Sequence, residues 1–445
     1  MSPSPCSARD RARRRAPVLA GALLVVVAGT LPAVAAVTFA AAVPFPAGDG
    51  PFELVAVDVD GDGDLDLAAT NVFSDDVSVL LNEDDGGFTA AVAYPVGASP
   101  SGIATDDLDG DGDRDLAVTA GNSVAVLLND GDGTFAAAVT SATGGADPHG
   151  IVAADLDGDG DADLATGNEA SDDVSVLLNN GDGTFAAATV FAAGGAPTGI
   201  SAADLDGDGD ADLATADQLG HASVLLNDGD GIFGVAFNYA VGEVPFDIVA
   251  ADLDGDGDRD LATANYFSDN VSVILNHGDA TFTTAVNYPT GSFPTGIVAA
   301  DLDGDGDRDL AVSNEVSGDV SVLPNNGAGS FGAPRSSATG PTPHGITAAD
   351  LDGDGDADLA VAIGDYLTDG PGRLAVLLNA GDDPDPDDGD AGDGDPGAGA
   401  GYDYDDDPGD FDFETPFDGA GDPGSADPGA GVAGTTATGG DQPPA

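Results

Sequence analysis

A ten-residue string, D-x-D-G-D-G-D-x-D-L, begins at Asp58, Asp107, Asp155, Asp204, Asp252, Asp301 and Asp350, at intervals of 48 or 49 residues. A fixed period on this scale means that each copy is one supersecondary unit. Such a unit buries its apolar faces only against its neighbours. One copy runs from Thr134 to Gly183 and offers four short strand candidates. The first follows a Phe, as in Phe282–Tyr288. The second is Gly-Ile-x-Ala-Ala-Asp, as in Gly199–Asp204. The third is Asp-Leu-Ala-x-x-Asn, as in Asp260–Asn265, and the fourth is Val-Ser-Val-Leu-Leu-Asn, as in Val174–Asn179. The link Asn-x-Gly-Asp-Gly-Thr, as at Asn179–Thr184, is rich in residues that tolerate positive φ. No helical stripe of useful length occurs.

Four strands per copy, seven times over, predict an all-β fold, a seven-bladed β-propeller of four-stranded blades with an acidic loop in each blade. A blade lies between two others, so strands apolar on both faces fit it. The Ala pairs Ala153-Ala154, Ala202-Ala203 and Ala250-Ala251 suit the crowded strand nearest the axis. The copies also predict how the ring closes. The Phe-led strand recurs at Phe39, Phe88, Phe135, Phe185, Phe233, Phe282 and Phe331, whereas the last Val376–Asn379 has none after it. Residues 38–45 are therefore expected to complete the seventh blade as its outer strand.

The two ends differ from the repeats. Arg9, Arg11, Arg13, Arg14 and Arg15 precede an uncharged apolar run, Val18–Thr30, and then the small residues Ala33–Ala36. This pattern predicts a secretory signal over residues 1–35, cut near Ala35, with an uncleaved anchor as the alternative. The protein is then expected to be secreted or displayed at the cell surface. Residues 36–381 form the propeller. Residues 382–445 carry 19 acidic residues, no basic one and few aliphatics. They are expected to be a disordered tail, because they cannot bury enough apolar surface to offset ordering entropy.

Every repeat string places carboxylates at loop positions 1, 3, 5, 7 and 9. They are Asp58, Asp60, Asp62, Asp64 and Asp66 in the first copy and Asp107, Asp109, Asp111, Asp113 and Asp115 in the second. The third has Asp155, Asp157, Asp159, Asp161 and Asp163, and the fourth has Asp204, Asp206, Asp208, Asp210 and Asp212. The fifth has Asp252, Asp254, Asp256, Asp258 and Asp260, and the sixth has Asp301, Asp303, Asp305, Asp307 and Asp309. The last has Asp350, Asp352, Asp354, Asp356 and Asp358. Carboxylates at 1, 3 and 5 with Gly at position 6 follow the logic of an EF-hand calcium loop. Hard oxygen donors without His or Cys favour Ca²⁺ over a transition metal. Up to seven Ca²⁺ ions are expected. An EF-hand proper is ruled out, because its position-12 Glu is replaced by residues such as Ala69, Val118 and Thr166.

The D-x-D-x-D-G-x-x-D loop between two strands, with its Phe and Gly-rich turns, resembles the FG-GAP or VCBS repeat. That repeat builds the head propeller of integrin α-chains and occurs in many secreted bacterial and archaeal proteins. The resemblance covers about residues 38–381. It implies side-chain oxygens from positions 1, 3, 5 and 9 and a backbone carbonyl from position 7 in each loop. Two departures matter. Integrin heads load only some blades, whereas all seven loops are complete here. The Phe-Gly dipeptide survives only at Phe233-Gly234 and Phe331-Gly332.

Function is expected on the face opposite the loops, where the copies differ most. That face should carry Phe73, His149, His221, Phe246, Tyr266, Phe267, Phe293, His344 and Tyr366. Aromatics beside Asp and Asn suit an extracellular protein or glycan ligand, so a binding or adhesion module is expected, with lectin-like recognition as one form. His149 and His344 share the context Pro-His-Gly-Ile, but they lie in units far apart in the ring and form no obvious metal pair. No nucleophile elbow, H-E-x-x-H or phosphate loop occurs, so no enzyme is expected. A calcium-dependent polysaccharide-active enzyme is the alternative. Asn270-Val271-Ser272 is a lone glycosylation sequon.

Charge narrows the partners further. The chain has 445 residues, 10 Lys+Arg, all of them Arg, against 81 Asp+Glu, for a formal net charge of -71. Nucleic acid is excluded, because binding it requires cations that replace condensed counterions. Membrane contact through a basic patch is excluded in the same way, apart from the N-terminal anchor alternative. A monomer is expected. Such charge opposes compaction unless cations or salt screen it, and abundant Asp without Lys fits a halophile or a GC-rich genome. The single Cys6 permits no disulfide framework.

Overall fold

The computed structural model describes residues 37–83, 86–364 and 372–381. The signal segment, the acidic tail and Tyr366 lie outside the described residues. No helix among the described residues is long and apolar enough to cross a membrane.

The first strand, β1 (Val43–Pro46), precedes blade one, which is β2 (Pro51–Val57), β3 (Asp66–Asn71), β4 (Asp76–Leu80) and β5 (Val92–Pro95). Blade two is β6 (Pro100–Asp106), β7 (Asp115–Ala120), β8 (Ser123–Leu127) and β9 (Val139–Ala142). Blade three is β10 (Pro148–Ala154), β11 (Asp163–Asn168), β12 (Asp173–Leu177) and β13 (Thr189–Ala192). Blade four is β14 (Pro197–Ala203), β15 (Asp212–Asp217), β16 (His221–Leu225) and β17 (Phe237–Ala240). Blade five is β18 (Pro245–Ala251), β19 (Asp260–Asn265), β20 (Asn270–Ile274) and β21 (Val286–Pro289). Blade six is β22 (Pro294–Ala300), β23 (Asp309–Asn314), β24 (Asp319–Leu323) and β25 (Arg335–Ala338). Blade seven contains β26 (Pro343–Ala349), β27 (Asp358–Ile363) and β28 (Arg373–Leu377). All pairings are antiparallel, and β1 lies outermost in the seventh sheet, with Val43 opposite Val376 and Pro46 opposite Arg373.

Burial peaks in the two middle strands of a blade, while the innermost strand is part-buried toward the axis. Every residue of β3 is buried, as are four of the five in β4, whereas β5 reads exposed, exposed, half-buried, exposed. The middle strands are covered on both faces by neighbouring blades. Successive side chains of one strand therefore enter different cores. Ala68 packs with Ile103, Leu116 and Leu127 of blade two, while Leu67 and Ala69 pack with Leu351, Ala360 and Leu374 of blade seven. The second cluster joins the first and last blades, so the ring is closed by core packing as well as by strand pairing. Each fully buried Leu is worth about 1.5–3 kcal/mol.

The outer strands are shorter than the alternating pattern implies. In blade five only Val286–Pro289 is strand, and Phe282 makes an isolated bridge to Asn276. The Phe ring turns inward against the outer strand of the preceding blade instead. Tyr239–Phe282 and Tyr288–Phe331 meet edge to face at 4.9 and 5.3 Å. Short outer strands also limit the free edge each blade presents.

Candidate functional site

The acidic loops are built alike. Asp58 accepts hydrogen bonds from the Gly61 and Gly63 amides at 2.7 and 3.1 Å, and Asp62 accepts one from the Asp64 amide at 3.0 Å. Gly61 and Gly63 have φ of 74° and 103°, values that L side chains avoid. The chain therefore curls around a point on which carboxylates converge. Ligand oxygens of Asp58, Asp60 and Asp62 lie within 4.8 Å of one another. So do those of Asp107, Asp109 and Asp115, of Asp155, Asp157 and Asp163, of Asp204, Asp206 and Asp212, and of Asp252, Asp254 and Asp260.

The position-9 carboxylate has a second task. Asp66 is 1% exposed and accepts bonds from the Val59 amide at 2.9 Å and the Asn82 amide at 2.7 Å. It pins the loop to its own blade while facing the cluster. Burial raises Asp66, Asp115, Asp163, Asp212, Asp260 and Asp358 to about 6, against the pull of those amide bonds. Asp309 is raised by burial to about 7. In blade six both oxygens of Asp303 are buried and lack a hydrogen-bond partner within normal limits. Crowded acceptors without donors are the environment a hard divalent cation neutralises. The residues present thus fit a metal ion held by oxygen.

Sequence reasoning missed a latch beside each loop. Asn82 Nδ2 donates to the Leu65 carbonyl at 3.1 Å and to the Leu351 carbonyl of blade seven at 2.8 Å. Asn129, Asn179, Asn227, Asn276, Asn325 and Asn379 each donate in the same way to the preceding blade, every time at 2.8 Å. The sequence signal was the Asn that opens each inter-blade turn.

The connections β3–β4 and β1–β2 share the opposite face, where the Phe73 amide donates to the Asp49 carbonyl at 3.0 Å. Phe73 and Phe267 are 62% and 60% exposed, so much of each of these two expected rings faces solvent. Tyr266 packs between Phe267 and Phe293 at 5.2 and 4.7 Å, and its hydroxyl donates to Glu315 Oε2 of the next blade at 2.5 Å. That bond and burial raise the Tyr266 pKa beyond the normal phenol range. His221 begins β16 and is half-buried at the rim of the same face.

His149, His344 and Phe246 are placed differently from the expectation of an exposed surface. They point to the axis. The residue after each motif Pro is Phe52, His149, Phe246 and His344 in blades one, three, five and seven, and Ser101, Thr198 and Thr295 in the others. The four rings meet around Phe52: His344 lies at 4.9 Å, His149 at 5.2 Å and Phe246 at 6.3 Å, with His149–Phe246 at 5.5 Å. The two His separated in the ring are thus brought together at its centre. Burial lowers both imidazoles to about 4, so they are neutral at pH 7, and His149 lowers His344 further. The hydroxyls bond the next blade: Thr198 Oγ1 donates to the Phe246 carbonyl at 2.7 Å.

One residue further on, five blades have Gly and two have acids, Glu53 and Asp247. Gly is required there, since a Cβ at Gly102 would sit 2.4 Å from the His149 carbonyl and one at Gly150 2.5 Å from that of Thr198. Glu53, Asp247, seven Leu and Ile side chains and three of the rings line one axial cavity of about 210 Å³. A second cavity of about 430 Å³ lies beyond the rings, lined by Phe52, His149, His344, Asp147 and Glu315. Asp247 accepts bonds from the Ile248 amide at 2.8 Å and the Ile297 amide of blade six at 3.0 Å. Burial raises it to about 6. Burial and then the Asp247 charge raise Glu53 well above the carboxylate range. Sequence reasoning missed both acids, although each breaks the Pro-x-Gly-Ile pattern of the other copies.

The sequon is not an accessible acceptor in this fold. Val271 and Ser272 are fully buried in β20, and Asn270 Nδ2 donates to the Ser268 carbonyl at 3.0 Å.

The family of FG-GAP-like repeats matches residues 58–118, 107–166, 164–215, 205–263, 252–312 and 301–361. No curated protein matches significantly. Among solved structures, the BP39L lectin from Burkholderia pseudomallei is 15% identical with a TM-score of 0.58, over 75% of this chain and 98% of the lectin. Virginiamycin B lyase from Staphylococcus aureus is 14% identical with a TM-score of 0.53, over 77% of this chain and 99% of the lyase. These likenesses concern the fold.

Proposed function

The chain belongs to the FG-GAP-like repeat family, and from that premise we propose that it is a calcium-stabilised binding module, secreted or held at the cell surface. It engages an extracellular protein or glycan through the face opposite the acidic loops. The observation that carries this reading is the contrast between the two faces. One repeats a single oxygen-lined loop in every blade. The other varies from blade to blade and presents Phe73 and Phe267 to solvent beside the Tyr266–Glu315 pair. Exposed aromatics next to polar groups are where binding energy concentrates at recognition surfaces.

Calcium is the metal the loops favour, because the donors are oxygen only and the glycine-assisted curl suits a large, flexible coordination sphere. The role is that of a binder rather than an enzyme, and it is supported by family membership and by the aromatic face.

One structural neighbour is a lectin, so glycans are the first ligands to test. A glycan array probed with the calcium-loaded chain is expected to give a saturable hit. Tyr266→Ala or Phe267→Ala should weaken that hit by about tenfold or more. Binding unchanged in both variants would remove this face from consideration. Silence on the array would overturn the glycan form and leave adhesion to protein, tested by the same variants against envelope proteins.

A further inference from the structure

We propose that the axial cavity is a binding site for one alkylammonium group, its charge held by Glu53 and Asp247 and its stem by the surrounding rings and aliphatic side chains. The site is distinct from the exposed aromatic face and from the acidic loops.

Three observations carry this. First, the cavity of about 210 Å³ is of molecular size; an apolar cavity of about 150 Å³ already takes benzene. Second, its two charged groups have the same sign, and no Arg lines it. Like charges in a buried site repel one another unless a proton or a cation arrives. Asp247 uses its carboxylate on two amides, which orients it but leaves net negative charge. Third, the remaining wall suits an organic cation better than a bare metal ion. Phe52 and Phe246 line it with aromatic surface for cation–π contact, and His149 is neutral. Leu54, Ile103 and Ile248 add apolar surface for a carbon stem.

The arrangement is also particular to two blades. At the same position the other blades have Gly, where a Cβ would come within 2.4–2.8 Å of the next blade's backbone. Above the acids, the rings of Phe52 and His149 border both this cavity and the outer one.

The test is isothermal titration of the full calcium-loaded chain with n-butylammonium chloride in 1 M NaCl. At that ionic strength the Debye length is about 3 Å, which suppresses diffuse attraction to the acidic surface. A saturable 1:1 event is expected. It should be absent with n-butanol, which has the same stem and no charge. Glu53→Gln with Asp247→Asn should weaken it at least tenfold, and Val235→Ala, at a side chain 86% exposed and away from the cavity, should leave it unchanged. If the double variant does not fold, Phe52→Leu, which removes a ring face and keeps both acids, should weaken it several-fold. Equal response to n-butylammonium and n-butanol, many weak sites in place of one, or undiminished binding in the folded double variant would each overturn the proposal.

Discussion

Asn227 shows how much one side chain carries in this ring. Its amide donates to the Leu156 carbonyl of the preceding blade and to the Ala211 carbonyl of its own at 2.8 and 3.0 Å, and its oxygen receives the Gly229 amide. Asn227→Ala strands all three groups, and each buried unpaired group costs about 1–3 kcal/mol. A fall in stability of about 2–4 kcal/mol is expected by denaturant titration; a loss under about 0.5 kcal/mol would mean that the latch is redundant. Asp247 supplies a second residue-scale prediction. Burial raises its pKa to about 6, and burial and the Asp247 charge raise Glu53 well above its ordinary value, so the native chain holds protons that the unfolded chain releases. That contribution is complete below about pH 4, the unfolded value, and is lost as pH rises through about 6. His149 and His344, lowered to about 4, act in the opposite direction between about 4 and 6.5. Asp147 faces His149 and opposes part of that lowering. The comparison is therefore made between variant and wild type, which share the imidazoles. Asp247→Asn should gain on the wild type by about 1–2 kcal/mol between pH 4 and 7. Parallel stability–pH curves would contradict the burial argument.

At the scale of the element, the acidic loop and the strand β1 each make a claim. Chelation of calcium in low salt is expected to lower the melting temperature by tens of degrees, because clustered carboxylates are left without a counter-charge. Added NaCl should narrow that difference by screening. A melt indifferent to the chelator would remove the metal from the account. β1 pairs with β28 along four residues, and Phe45 packs on Phe88 of blade one at 5.2 Å. Deleting residues 36–46 should expose both the edge of β28 and the wedge between blades seven and one. A sharp fall in melting temperature is expected by calorimetry, and an unchanged melt would show that the strand is dispensable. The loop, the strand order and the period were legible in the sequence because each depends on residues within one copy. The bend of the Phe away from its strand was not, since the Tyr or Phe it meets belongs to the preceding blade.

On the scale of the whole molecule, seven similar units leave a common centre, and the centre is where the copies differ with most effect. Phe52, His149, Phe246 and His344 come from blades one, three, five and seven, of which seven and one are neighbours, so large rings meet across the axis while Ser101, Thr198 and Thr295 lie in the other three blades and bond the next one. Seven rings would not fit in that space. The outward face is organised by the same symmetry, with Tyr266 and Glu315 bridging blades five and six at equivalent connections. The two-site picture predicts that the Glu53 and Asp247 substitutions act on the ammonium of the axis and spare the ligand of the outer face; Tyr266, whose ring lies 6.0 Å from that of Phe246, borders both sites.

The amino-acid sequence by itself determined the fold class, the number of blades and the carboxylate loops, because all of these rest on short-range spacing repeated seven times. Tertiary structure alone decided what lies on the axis. His149 and His344 are 195 positions apart, and Glu53 and Asp247 are similarly remote. They meet only because a closed ring of seven blades turns equal positions in separate copies toward one point. Periodicity says that such positions are equivalent. Only the closed geometry makes them neighbours, and only there do their charges and rings interact.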